Sequence, residues 1–153
     1  MSVIIRKAEP ADMPAVRAVM GAATAQLRSV YRPAAASVAR AKADEEIRWL
    51  VAVDGDEVVA ALRYKRENDR LHFGLGARPD YQRRGVGRGL VEALAAVAAS
   101  DGLGKLSLYT IKQTGNVPIF ARMGFNVVKE EPAQDVESIT GEALAEVYME
   151  KQL

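Results

Sequence analysis

The chain has 153 residues, of which 49% are hydrophobic and 27% charged, a mixture that fits one soluble globular domain over residues 1–153. It has no cysteine and one histidine, which excludes disulfides, a thiolate or multi-histidine metal site and a cysteine nucleophile. A formal net charge of +1 gives no bulk electrostatic argument for binding nucleic acid, and we expect none.

The amino-terminal half predicts two helices between β-strands. The predicted elements are a strand over 3–8, helices over 13–30 and 34–47, and strands over 49–53, 58–64 and 70–77. Asp12 is placed to cap the first helix, and Tyr31-Arg32-Pro33 breaks it. Asp54-Gly55 tolerates the positive φ of a tight hairpin turn.

The carboxyl-terminal half predicts two more helices and three more strands. These are a helix over 85–100, a strand over 105–111, a helix over 117–123, and strands over 125–130 and 144–150 joined by a polar loop. Asn116 suits the cap of the short helix and Gly124 its end. The order β-α-α-β-β-β-α-β-α-β-β, with a parallel crossover around residues 70–111, predicts an α/β (α+β) fold with a mixed sheet.

The most informative stretch runs from Leu75 to Leu90, L-G-A-R-P-D-Y-Q-R-R-G-V-G-R-G-L. A predicted strand ends, a turn rich in arginine and glycine follows, and a helix begins at once. Helix amino termini expose unpaired N–H groups that bind phosphates, so this arrangement indicates an anion site. Neither the P-loop nor the dinucleotide fingerprint fits, because Gly87 is followed by Arg88, Gly89 and Leu90.

Charge is unevenly distributed along the chain. Arg78 to Arg88 contains four arginines and one acid, whereas Lys129 to Leu153 contains seven acids and two lysines. Either run can be a solvated surface. The sharper hypothesis is a basic pocket for an anionic cofactor and an acidic rim for a cationic acceptor such as a polyamine, an aminoglycoside or a lysine.

Two blocks of sequence resemble those of the GNAT superfamily of N-acetyltransferases. Gln82-Arg83-Arg84-Gly85-Val86-Gly87 matches the signature Q/R-x-x-G-x-G/A, after a strand that ends in Pro79. Asn116-Val117-Pro118-Ile119-Phe120-Ala121-Arg122-Met123-Gly124-Phe125 is similar to the family block N…Y-x-x-x-G-F. The predicted element order also resembles the family's, so the likeness covers nearly the whole chain.

The resemblance implies an acetyltransferase that moves an acetyl group from acetyl-coenzyme A to a small-molecule or peptide amine. Transfer would be direct, within a ternary complex, and without a metal. The implied cofactor contacts are the backbone of the turn and its rim, the strand before it, and the later helix: Gln82, Arg83, Arg84, Gly85, Val86, Gly87 and Arg88 at the diphosphate, Leu75 and Ala77 along the pantetheine arm, and Asn116 and Phe120 near that arm.

Two positions depart from the family pattern. The tyrosine that often protonates the leaving thiolate is replaced by Phe120, and the glutamate that often serves as the base is replaced by Leu71. Proton delivery is left to water or to Tyr109 on the strand over 105–111. His72 has an unperturbed pKa near 6.5 that suits a base, and alternation points it away from Leu71.

Other readings of the residues stay open. Glu67, Asp69 and the acids of the loop over 130–142 are further candidate bases. Tyr31 and Arg32 lie where the family forms its acceptor site, or they are an ordinary loop surface. A non-catalytic acyl-CoA-binding or regulatory module is the alternative function, favoured by Phe120 and Leu71.

The localisation of the chain is predicted from its lack of membrane and signal sequences, and its oligomeric state from the family resemblance. No apolar run approaches the ~20 residues that span a bilayer, and the first residues lack the apolar core of a signal peptide. We therefore expect a cytoplasmic protein with no membrane partner. The resemblance makes a homodimer plausible, with the last strand and the first two helices as candidate surfaces.

Overall fold

The computed structural model describes residues 3–33, 46–134 and 136–153. The strands are β1 (Val3–Lys7), β2 (Tyr31–Pro33), β3 (Arg48–Asp54), β4 (Glu57–Glu67), β5 (Arg70–Ala77), β6 (Lys105–Ile111), β7 (Asn126–Pro132), β8 (Val136–Ser138) and β9 (Ala145–Gln152). The α-helices are α1 (Met13–Leu27), α2 (Val86–Ser100) and α3 (Asn116–Arg122). No helix within these ranges is long and apolar enough to span a bilayer.

The predicted elements within these ranges are confirmed, most of them to within a few residues. Of the predicted helix over 34–47, residues 34–45 lie outside the described residues. Two short strands were not predicted. Tyr31–Pro33, predicted only to break the first helix, pairs antiparallel with Val136–Ser138, which lies in the predicted polar loop.

Seven strands form one mixed sheet in the order β1-β3-β4-β5-β6-β9-β7. Strands β5 and β6 pair in parallel and every other neighbouring pair is antiparallel. The last strand, β9, lies between β6 and β7, so its backbone is paired on both sides. The edge strand at this end of the sheet is therefore β7. The last strand as a dimer surface stays a prediction.

Each face of the sheet packs against one long helix. Helix α2 covers the face that carries Leu62, Leu71 and Phe73, and its buried Leu90 and Leu94 belong to the same core cluster. Helix α1 covers part of the opposite face, where it lies across β4 and β5. Its Val16 and Val19 belong to a second core cluster with Val51, Val58 and Ala61. The part of that face formed by β6 and β9 extends beyond α1.

Asp12 stands at the start of α1, but its side chain does not cap that helix. It accepts hydrogen bonds from the backbone N–H of Glu9, at 2.7 Å, and from the guanidinium of Arg6, at 2.6 and 3.0 Å. These bonds lower the pKa of Asp12 to about 2, chiefly through Arg6. The carboxylate thus fixes the short 3-10 turn Pro10–Asp12 to β1. The preference for aspartate at helix starts does not distinguish this role from capping of the helix.

Candidate functional site

Strands β5 and β6 separate partway along the sheet. They pair only over residues 70–72 and 105–107, and the last pair joins His72 to Ser107. Beyond it, β5 runs to Ala77 paired with β4 alone, and β6 runs on paired with β9 alone. Within the described residues, the edge of β5 from Phe73 to Ala77 thus faces a cleft instead of a strand. Such an edge offers backbone groups to an extended, amide-containing ligand.

The turn at the end of this cleft presents a row of backbone N–H groups. Arg83 and Gly85 both adopt left-handed backbone conformations, with φ of +62° and +81°. In the part of the chain that the structure describes, no protein acceptor pairs with the N–H groups from Arg83 to Arg88, whereas Gly89 bonds to the carbonyl of Gly85. Successive free N–H groups at a helix amino terminus form an anion-binding nest.

The arginines of the turn have different surroundings. Arg78 is neutralised by Glu57 and Asp80, at 3.0 and 2.8 Å. Arg84 lies over the ring of Tyr81, with its guanidinium carbon 5.3 Å from the ring centre. The exposed arginines of the predicted site form no ion pair with a described carboxylate: Arg83, Arg84 and Arg88. Their positive charge is therefore available to an anion.

Other residues of the motif hold the turn in place. The amide of Gln82 donates to Gln26 of α1 at 2.7 Å and lies 3.3 Å from the carbonyl of Ala77. Val86 is only 4% exposed, so it contributes a core side chain as well as a backbone N–H. A Cβ on Gly87 would lie 3.1 Å from Leu75, so glycine lets α2 begin close against β5.

Helix α3 forms the other wall near the cleft. The prediction that Asn116 caps this helix is wrong, because Gly115 holds the cap position with φ of +81° and Asn116 is the first helical residue. The half-buried Asn116 amide makes no hydrogen bond to a described group. Phe120 packs its ring edge-on against Phe73 and Phe125, with centroids 6.2 and 5.8 Å away. An apolar partner surface thus explains phenylalanine at this position.

His72 lies at the point where the two strands part, on the face opposite to α2. Its Nδ1 lies 2.8 Å from Oγ of Ser107, a fully buried hydroxyl. Burial lowers the pKa of His72 below its ordinary value of 6.5, and the charges of Arg63, Arg70 and Lys65 act in the same direction against that of Glu67. The imidazole is therefore neutral near pH 7. Leu71, by contrast, is 2% exposed and belongs to the core on the α2 side.

Two tyrosines extend this aromatic cluster. The ring of Tyr109 lies edge-on to His72 at 5.1 Å and 4.9 Å from Tyr148. Burial raises the pKa of the Tyr109 phenol, so it stays protonated at neutral pH. Tyr148 bonds to Arg70 and, at 3.0 Å, to Glu150. Tyr109 is the tyrosine of this pair whose hydroxyl has no bond within the described residues, and its side chain is 51% exposed.

The other candidate bases are less suited to the task. Asp69 lies beside the guanidinium of Arg70, and this hydrogen bond lowers the pKa of its carboxyl. A carboxylate with a lowered pKa is a weak proton acceptor. Glu67 is exposed at the end of β4, near enough to His72 to raise its pKa against the dominant effect of burial.

The acidic carboxyl-terminal segment is paired in part. Three of its carboxylates form ion pairs with cations: Glu130 with Lys112, Glu131 with Lys129, and Glu150 with Arg70. The prediction of a cationic acceptor, which rests on this charge, stays a prediction. Most of these pairs are exposed and contribute little to stability.

The segment Tyr31–Pro33 stands over the same face as His72. Tyr31 is half-buried, and burial raises the pKa of its phenol while the nearby charges of Arg28 and Arg63 lower it. The backbone of Arg32 pairs with Glu137 of β8. Tyr31 and Arg32 thus belong to a regular two-stranded sheet and not to an irregular loop. Their part in an acceptor site stays a prediction.

A separate open groove of about 970 Å³ lies at the far end of α2. Its walls include Lys7, Arg48, Tyr64, Val97 and Asp101. None of the residues predicted to bind the cofactor lines it, so its chemistry is not that of the cleft. Within the described ranges, no three His, Cys, Asp or Glu side chains converge as a metal site would require.

Sequence reasoning missed three side chains that the fold brings to His72. Ser107 and Tyr148 come from β6 and β9, and Arg63 comes from β4. Alternation along each strand places them on the His72 face, so this signal was present in the sequence. The register that brings them together is a property of strand pairing, which the sequence alone does not give.

Comparison with known proteins agrees with this geometry. The family model described as "Acetyltransferase (GNAT) family" matches residues 17–125, more than half of the chain. The sequence matches none of the curated proteins with which it was compared.

Solved structures share the fold over nearly the whole chain. The ribosomal-protein-S18-alanine N-acetyltransferase from Escherichia coli is 20% identical, with a TM-score of 0.74 over 99% of this chain and 94% of that one. A GCN5-related N-acetyltransferase from Kribbella flavida is 21% identical, with a TM-score of 0.73 over 99% and 98%. A nourseothricin acetyltransferase is 20% identical, with a TM-score of 0.72 over 99% of both chains. At these identities, the likeness establishes the fold alone.

Proposed function

Because the chain belongs to the GNAT acetyltransferase family, we propose that it transfers an acetyl group from acetyl-coenzyme A to an amine, directly within a ternary complex. The observation that carries this proposal is the junction of the cleft and the turn. One end of the unpaired β5 edge lies beside His72, and the other leads into the N–H groups of Arg83 to Arg88. A long ligand with a phosphate end, an amide-containing arm and a reactive acyl end matches that layout.

The residues present suit the coenzyme. The N–H groups of Arg83 to Arg88 would hold the diphosphate, with the guanidinium groups of Arg83, Arg84 and Arg88 at the rim. The β5 edge at Leu75 and Ala77 would pair with the amides of the pantetheine arm, and Asn116 and Phe120 would contact it from α3. When bound, acetyl-coenzyme A supplies an activated acyl group with a thiolate leaving group.

His72 is the proposed proton acceptor. An alkylammonium has no lone pair for attack, so a proton must leave the acceptor amine first. If Nδ1–H donates to Ser107, the lone pair of the ring lies on Nε2, for which the described residues provide no partner. The lowered pKa keeps the imidazole neutral and able to take up a proton near pH 7.

Tyr109 is the proposed proton donor to the leaving sulfur, with water as the alternative. Its phenol stays protonated because burial raises its pKa, and its ring lies beside His72 on the open strand β6. Phe120 has no proton to give and instead fills the aromatic cluster with Phe73 and Phe125. In this proposal the proton donor therefore lies on strand β6 instead of helix α3.

The alternative function is an acyl-CoA-binding module without catalysis. Phe120 and the buried Leu71 favour it, since both lack the ionisable groups that the family often uses there. The His72–Ser107 contact favours the enzyme, because it orients a neutral imidazole where the cleft begins.

A thiol-release assay with acetyl-coenzyme A and a panel of amines separates the two. The enzyme releases free coenzyme A in proportion to acetylated amine, and the rate depends on His72. Binding of acetyl-coenzyme A by calorimetry, with no amine-dependent release above the rate without acceptor, would instead assign the module.

A further inference from the structure

Arg63 occupies the middle of β4 on the face that carries His72. Its Cα partners are Trp49 on β3 and Gly74 on β5. Its neighbours along the strand, Leu62 and Tyr64, are buried on the other face, whereas the side chain of Arg63 is exposed. The guanidinium of Arg63 therefore projects from the face of the sheet that carries His72.

Gly74 gives the Arg63 side chain room to lie across β5. A Cβ built on Gly74 would stand 2.9 Å from Nε of Arg63, 3.5 Å from its Cγ and 3.6 Å from its Nη2. Any side chain at this position would push the arginine away. The Arg63 side chain therefore lies over Gly74 of β5, which it could not do over a larger residue.

Arg63 lies near two groups of the proposed acceptor face. Its charge acts on His72 and on the phenol of Tyr31, so it stands near both. Arg70, another arginine on this face, is already paired with Glu150 and Asp69. Arg63 has no ion pair or hydrogen bond with any residue of the described ranges.

We propose that Arg63 binds a carboxylate of the acceptor, so that the acceptor is an amine that also carries a carboxylate, as an amino acid does. The planar fork of an arginine matches a carboxylate in two parallel hydrogen bonds. This inference rests on the proposed function, because it places the acceptor amine at His72. It reverses the cationic acceptor that the acidic carboxyl-terminal segment suggested.

The spacing limits the size of the acceptor. Gly74, which Arg63 crosses, is two residues from His72 on the same face, about 7 Å along the strand. An amine at His72 and a carboxylate at Arg63 are then separated by a few bonds. This separation suits an amino acid or the end of a short peptide better than a long polyamine.

The test compares matched acceptors in the thiol-release assay. Each amino acid is assayed beside its carboxamide and beside the amine that lacks the carboxyl group. For wild type, we expect kcat/KM to be ~10- to 100-fold higher for the carboxylate member, the range expected of a charged hydrogen-bonded pair. In Arg63→Gln, this preference disappears through a raised KM, and Arg63→Lys keeps part of it.

Arg66→Gln is the matched control, because Arg66 lies on the same strand but its side chain belongs to the opposite face, at the groove near α2. It should retain the preference, and both variants should bind acetyl-coenzyme A as wild type does. Equal kcat/KM for carboxylate and carboxamide, an unchanged preference in Arg63→Gln, or no carboxylated amine acetylated while acetyl-coenzyme A still binds would each overturn the inference. Failure to bind acetyl-coenzyme A would instead overturn the proposed function itself.

Discussion

Nδ1 of His72 lies 2.8 Å from Oγ of Ser107 at the last residue pair that β5 and β6 share. The contact fixes an imidazole at the place where the sheet opens into the cleft. Because Ser107 is fully buried, its hydroxyl cannot exchange this partner freely for bulk water. The ring is thus held in one orientation, which a general base requires.

His72→Ala should lower kcat by about 100-fold or more, the usual contribution of a general base. Wild-type kcat/KM should fall at acidic pH as His72 is protonated, and the variant should lose that part of the profile. Ser107→Ala keeps the imidazole but removes the contact that orients it. We therefore expect a smaller loss of kcat than in His72→Ala, and the pH dependence of kcat/KM should be retained. Normal turnover by His72→Ala across the pH range would remove His72 as the base.

Stability should also depend on the protonation of His72. Burial lowers its pKa in the folded state below 6.5, so the unfolded chain binds more protons in acid. The free energy of unfolding should therefore fall as the pH drops below about 6.5, the ordinary pKa of histidine. Urea unfolding of wild type and His72→Gln between pH 5 and pH 8 checks this. The difference in free energy of unfolding between wild type and His72→Gln should shrink in acid. A constant difference would show that folding does not lower the pKa of His72.

Gly85→Asp should abolish binding of acetyl-coenzyme A. The substitution places a carboxylate against the proposed diphosphate site and forces a side chain into a backbone conformation with φ of +81°. Gly102→Asp is the control, since its φ is +72° with open space around it and it lies beyond the other end of α2. Both variants carry the backbone strain, but only the first should lose affinity in calorimetry. Equal affinities would refute the site.

Gly76→Ala should destabilise the fold where α1 crosses β5. Its Cβ would stand 2.7 Å from Sδ of Met20 and 3.2 Å from Cβ of Ala23. Overpacking of this kind costs about 1–3 kcal/mol, and the flexible methionine places the expected value toward the lower end. Gly21→Ala, with nothing within 4 Å, should instead stabilise α1 by about 0.5–1 kcal/mol. Chemical denaturation of both variants measures the contrast.

Phe120→Tyr should leave turnover unchanged or raise it. The half-buried ring keeps its contacts with Phe73 and Phe125, and the added hydroxyl restores the proton donor that the family often has there. Steady-state kcat with acetyl-coenzyme A is the measurement. A large loss of rate would show that close packing at Phe120 matters more for the cleft than a second donor does.

The sequence predicted the framework of this protein because its signals are local. Alternation, helical periodicity and turn glycines predicted most of the sheet and the three described helices. Positive φ at Gly55 and Gly124 agrees with the turn and the helix end predicted there. The motif from Gln82 to Gly87 indicated an anion site, and the free N–H groups of that turn fit it.

The sequence did not predict what depends on distant pairing. The three-residue strands β2 and β8 are too short to show a periodic pattern in the sequence. They form by pairing with each other across more than 100 residues of chain. The convergence of His72, Ser107 and Tyr148 comes from three strands whose register no local rule supplies. Asp12 does stand at the start of α1, but its carboxylate binds Arg6 and the N–H of Glu9 instead of capping the helix. In α3 the cap position belongs to Gly115, and Asn116 is the first helical residue.

Calorimetric titration of the purified protein with acetyl-coenzyme A tests the central claim most directly, since every catalytic statement depends on that complex. We expect saturable binding at one site per chain. The affinity should fall with added salt, because salt screens the arginines around the turn. Absence of binding at millimolar acetyl-coenzyme A would contradict the assignment of the cleft and of the turn from Arg83 to Arg88.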